Sequence, residues 1–133
     1  MDTKLSLLIS KEIEKFIEEK SPVYAPLWSR EDFIKFAALP VMMDGGGVFG
    51  LRPDGQVVST LWDDPDQVEI ESEPRIINMI YFNASQKFPS LKPLAPERTE
   101  LSKTCPHCNG SGSYPGFGGA ILCYCGGMGW LSE

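Results

Sequence analysis

The chain has 133 residues, 42% hydrophobic and 23% charged, which supplies apolar material for a buried core and excludes a disordered polyelectrolyte. Its formal net charge of −6 sits in residues 1–91, with nine Lys and Arg against fifteen Asp and Glu, while residues 92–133 carry three of each. An acidic body lacks the positive patch that phosphate-backbone binding requires, so it excludes a nucleic-acid partner and suits either solubility or a basic protein partner.

No run approaches eighteen consecutive apolar residues, so no membrane helix is expected. The apolar stretch Leu5-Ser6-Leu7-Leu8-Ile9 meets Lys11, Glu12, Glu14 and Lys15 too soon to be a signal peptide. The expectation is a cytoplasmic chain without a membrane partner. In that compartment, closely paired cysteines are metal ligands more often than disulfides.

The first predicted element is a helix over residues 3–20. Leu5, Leu8, Ile9, Ile13, Phe16 and Ile17 recur at three- and four-residue steps with charges between them, and Ser21-Pro22 ends it. After a Pro-rich connection, Ser29 has the chemistry of an N-cap for a short helix to about Ala38, with Glu31 and Asp32 in its first turn. Phe33, Phe36 and Ala37 form its apolar stripe, and Pro40 closes it.

Strands follow near 40–43, 47–52 and 56–62. Asp44-Gly45-Gly46-Gly47 makes a wide turn and Asp54-Gly55 a tight one, and connections this short require an antiparallel meander. Asp63-Asp64-Pro65-Asp66 is expected as a solvated acidic loop, followed by a short strand at 67–71. Pro65 interrupts the three acids and no EF-hand register follows, so Asp63, Asp64 and Asp66 are candidate partner-binding residues rather than cation ligands. A third helix spans about 74–87, with Ile76, Ile77, Ile80, Tyr81 and Ala84 on its apolar side. Residues 88–96 are Pro-rich and expected as extended chain.

All four cysteines come after this linker, as Cys105-Pro-His-Cys108-Asn-Gly110-Ser-Gly112 and Cys123-Tyr-Cys125-Gly-Gly127-Met-Gly129. A Cys-x-x-Cys turn presents two thiolates from one tight loop, and the glycines behind it leave room for backbone N–H groups to donate to sulfur. Cys105, Cys108, Cys123 and Cys125 are therefore expected to hold one structural Zn²⁺ per chain, with a disulfide-bonded or free-thiol tail as the alternatives. His107, the only histidine, lies inside the first turn and is expected to face solvent. Four sulfur ligands leave no open metal position, and no Ser-His-Asp or Cys-His machinery can be assembled, so no catalytic residues and no enzyme are expected. Tyr114, Phe117 and Ile121, in the Gly-rich stretch between the cysteine pairs, have no obvious core to enter. Tyr114 and Phe117 are candidates for a partner-binding tip.

The Cys-x-x-Cys-x-Gly-x-Gly pattern resembles the zinc-binding repeats of DnaJ-type chaperones. The first half matches fully, and the second has one residue between its cysteines. The body resembles the SUKH superfamily, the Smi/Knr-type cell-wall regulators and bacterial immunity proteins. The residues that carry it are Leu39-Pro40, Asp44-Gly45-Gly46-Gly47, Val57 to Thr60 and Trp62-Asp63-Asp64. Together these imply an α+β fold, with an antiparallel meander sheet packed with helices and a small C-terminal zinc-knuckle tail. The implied layout is a SUKH-like domain over 1–91, a Pro-rich linker over 92–104 and a zinc-binding tail over 105–133. The implied function is a non-catalytic protein-binding module of the immunity or regulatory kind, with a basic toxin as one partner. The alternative is a DnaJ-like chaperone accessory that binds unfolded chains through the tail.

Overall fold

In the computed structural model, which describes residues 3–43, 46–96, 103–106, 108–110, 113–116, 119–122 and 128–131, the chain divides into two units, Met1–Glu71 and Ser72–Glu133. The first opens with α1, Thr3–Lys20, which buries Ile9 and Phe16 and leaves the rest of its apolar stripe half-buried. A 3-10 turn, Ser21–Tyr24, takes over at Pro22, whose ring fits a first turn but not a helix interior.

The short helix α2, Arg30–Phe36, carries a full capping box. Ser29 Oγ accepts from the Asp32 N–H at 3.3 Å and the Ser29 N–H donates to Asp32 Oδ2 at 2.9 Å. Phe33 and Phe36 are buried as expected. Ala37 is not: it sits exposed in the left-handed region at φ 54°, ends the helix, and passes the buried role to Ala38. Pro40 accordingly belongs to a strand rather than to the helix end.

Four strands, β1 Leu39–Met43, β2 Gly47–Leu51, β3 Val57–Leu61 and β4 Asp64–Ile70, form one antiparallel sheet in chain order. The fold class is α+β, with α1 packed against β1, α2 against β4 and the two helices against each other. Arg52 to Gln56 close the β2–β3 hairpin. Gly55 takes φ 93° there and Asp54 Oδ1 accepts from the Gln56 N–H at 3.0 Å.

The largest departure from expectation is β4. Asp64, Pro65 and Asp66 are its first residues and not a loop, because β3 turns into β4 through Trp62 and Asp63 alone. Pro65 is tolerated because β4 is an edge strand, where a missing N–H breaks no second ladder. The β3–β4 register slips between Ser59 and Leu61. There Thr60 Oγ1 lies 3.0 Å from both the Asp64 and Gln67 carbonyl oxygens and ties the irregular stretch to β3.

Aromatic side chains fill the space between the helices and the β3–β4 turn. Trp28 meets Phe33, Phe36 and Trp62 edge-on at centroid distances of 5.0, 5.4 and 5.1 Å, and Tyr24 stacks on Phe16 and Trp62. The buried Trp28 Nε1–H donates to the Trp62 carbonyl at 3.0 Å.

The second unit begins with α3, Pro74–Lys87, whose N-cap Glu73 accepts from the Arg75 N–H; Ile80 and Ala84 are buried. The next segment, Pro89–Leu94, is a 3-10 helix and not extended chain, and it packs on α3 with Leu91 and Leu94 buried. Two buried leucines three residues apart suit the three-residue repeat of that helix. Two short ladders follow: β5 Lys103–Thr104 with β8 Trp130–Leu131, and β6 Ser113–Gly116 with β7 Gly119–Leu122. Among the described residues, no helix is long and apolar enough to cross a membrane.

Candidate functional site

Two places hold the residues singled out by sequence, one in each unit. In the second unit, Cys105 and Cys108 are both buried, and positive φ at Asn109 (54°) and Gly110 (87°) turns the chain back sharply after them. The β5–β8 ladder pairs Thr104 with Trp130, and the Cys105 N–H donates to the Gly129 carbonyl at 2.9 Å. Gly129, at φ 83°, lies so close to Gly110 that a Cβ on it would overlap the Gly110 carbonyl. The glycine-trailed ends of the two Cys motifs therefore meet through their backbones, and glycine is needed at both positions.

Cys123, Cys125, His107 and Phe117 lie outside the described residues. Among those described, no three His, Cys, Asp or Glu side chains converge as a metal-binding group. Among the described residues between the cysteine pairs, β6 and β7 pair antiparallel. Tyr114 sits in β6 at the register position opposite Ile121 in β7.

In the first unit, Asp63 lies in the β3–β4 turn and Asp64 and Asp66 in β4, all three exposed. Lys35 Nζ lies 3.9 Å from Asp66 Oδ1, and at that exposure the pair contributes little. The acids thus decorate a sheet edge.

The sheet also forms a groove that residue-by-residue reading missed. Alternation along the strands sends Val48, Gly50, Val58 and Thr60 toward the helices; a Cβ on Gly50 would stand 2.6 Å from the Phe36 ring. Gly47, Phe49, Ser59, Leu61 and Glu69 take the other face. There a groove of about 410 Å³ is lined by Gly46, Gly47, Phe49, Ser59, Leu61, Gln67 and Glu69, among others. Leu61 is 56% exposed at its wall. The available signal was period-two alternation in 47–51 and 57–61, which puts Phe49 and Leu61 on one face once the register is known. Comparison with known proteins finds no matching family model, no matching curated protein and no matching solved structure.

Proposed function

We propose that the chain is a non-catalytic protein-binding module of SUKH type, a cytoplasmic immunity or regulatory protein whose partner is a basic protein such as a toxin. The observation that carries this reading is β4, an exposed edge strand presenting Asp64, Asp66 and Glu69 on the first unit. That unit, residues 1–71, holds seven Lys and Arg against fourteen Asp and Glu. Opposite charge speeds encounter with a basic surface, and a charged edge resists pairing with a second copy of itself. The order of two helices, a four-stranded meander and a third helix supports the family resemblance.

The same proposal gives the tail a structural Zn²⁺ held by Cys105, Cys108, Cys123 and Cys125. Support comes from the burial of Cys105 and Cys108 and from the close approach of Gly110 to Gly129, the glycine-trailed end of the second half-motif. Zinc would supply folding free energy, about 10–16 kcal/mol of apparent binding in finger-sized peptides, to a segment with little core of its own.

The test is capture and identification of the partner, followed by association kinetics as a function of salt. The expected partner is basic, and its association rate falls at least about tenfold between low and high ionic strength. The double variant Asp64→Lys, Asp66→Lys should slow association at low salt and leave dissociation nearly unchanged. A partner that is neutral or acidic, or a rate indifferent to both salt and charge reversal, rejects the reading.

A further inference from the structure

The groove on the open face of the sheet has a more specific chemistry than a general protein contact. Phe49, Ser59 and Glu69 are successive cross-strand partners on β2, β3 and β4, so they form one row on one face. Adjacent strands lie about 4.8 Å apart, which sets the Phe49 and Glu69 positions roughly 10 Å apart with only a serine between them. The neighbouring row runs from Gly47 to Leu61. Gly47 leaves the floor bare and has to, since a Cβ there would stand 2.5 Å from the Thr60 carbonyl oxygen. The resulting trough is apolar along Phe49 and Leu61 and polar at Gln67 and Glu69. Glu69 is exposed, and the ion pairs of the described residues do not include it.

A trough that is greasy along its length and anionic at one end fits a side chain with the opposite profile. An aliphatic guest would leave the Glu69 carboxylate unused. An acidic guest would face that carboxylate and the acidic unit around it. We propose that the trough binds an arginine side chain presented by the basic partner; this rests on the reading above that the partner is a basic protein. The methylene stem lies along Leu61 and Ser59, and the guanidinium forks onto Glu69. Arginine suits the site better than lysine because its planar fork donates two parallel bonds to one carboxylate, while its face can stack on an aromatic ring.

The experiment titrates the isotopically labelled full chain with Nα-acetyl-arginine methylamide, and in parallel with the lysine and norleucine analogues, following backbone amide shifts. The arginine probe should shift Gly46, Gly47, Ser59, Leu61 and Glu69 saturably, ahead of lysine, with norleucine silent. Glu69→Gln should weaken arginine binding about tenfold without altering the spectrum elsewhere. Equal shifts from norleucine, no saturable shift from arginine, or an unchanged affinity in Glu69→Gln would overturn the assignment. The two proposals fail separately. Arginine binding at the trough in a protein that captures no basic partner supports this site and rejects the function. A captured basic partner whose affinity is unmoved by Glu69→Gln rejects this site and leaves the function standing.

Discussion

At the scale of single residues, Gly50 shows how the sheet and α2 depend on an absent side chain. A Cβ there would meet Phe36 ring carbons at 2.6 and 2.7 Å and Ala38 Cβ at 3.0 Å. The ring cannot easily retreat, because Phe36 is fully buried and held edge-on by Trp28 at 5.4 Å. Gly50→Ala is therefore expected to destabilise the first unit by about 1–3 kcal/mol through overpacking. Denaturant melts of Gly50→Ala, Phe36→Leu and the double variant check the cause. The smaller, non-aromatic leucine makes room, so the double variant should lose less than the sum of the single losses. Strict additivity would place the Gly50 effect in the backbone instead. Trp28 makes the opposite case, in which a polar atom matters inside an aromatic cluster. Trp28→Phe keeps much of the ring contact but leaves the Trp62 carbonyl without its 3.0 Å donor, for an expected loss of about 1–3 kcal/mol by the same melts.

At the scale of elements, local chemistry decided what could be foreseen. The stripe of α1, the cap of α2 at Ser29 and the turn at Asp54-Gly55 each depend on residues close together in sequence, and each occurs where its residues indicate. The capping box makes this quantitative. Ser29→Ala removes the acceptor for the Asp32 N–H and should cost about 1 kcal/mol, while Asp32→Ala removes the reciprocal bond. The double variant should cost less than the two together, measured by thermal unfolding. The start of β4 departs from its local composition, because three acids around a proline have the make-up of a loop. Only pairing with β3, and an edge position that spares Pro65 a second partner, makes them a strand. The Pro89–Leu94 segment differs from expectation for a related reason: proline at its start suits a 3-10 turn as well as extended chain, and burial of Leu91 and Leu94 decides between them. The trough was illegible because Phe49, Ser59 and Glu69 are ten residues apart in sequence and become neighbours only through register. A one-residue slip would send Phe49 to the other face. The cysteine motif lies at the other extreme: its spacing is visible at once, and the fold adds the contact between Gly110 and Gly129.

At the scale of the whole molecule, the division into Met1–Glu71 and Ser72–Glu133 puts the acidic edge strand β4 in one unit and Cys105 and Cys108 in the other. The chain's three tryptophans make that separation measurable, since Trp28 and Trp62 belong to the first unit and Trp130 to the second. Trp130 is 9% exposed, pairs with Thr104 in the β5–β8 ladder, and follows directly on Gly129, whose carbonyl accepts from the Cys105 N–H. If four thiolates hold that arrangement together, protein purified under reducing conditions should carry about one zinc per chain. Chelation should then shift the tryptophan emission to the red as Trp130 meets water. Cys105→Ser should reproduce both the loss of metal and the shift. Trp130→Phe should abolish the shift while keeping the metal, because Trp130 is the tryptophan of the second unit. The edge-on contacts of Trp28 should survive chelation, visible as an unchanged near-ultraviolet dichroism in the Trp130→Phe background. A red shift that persists in that variant would mean that the metal also supports the first unit. Metal-free protein with a buried Trp130 would mean that backbone pairing and packing order the tail without zinc.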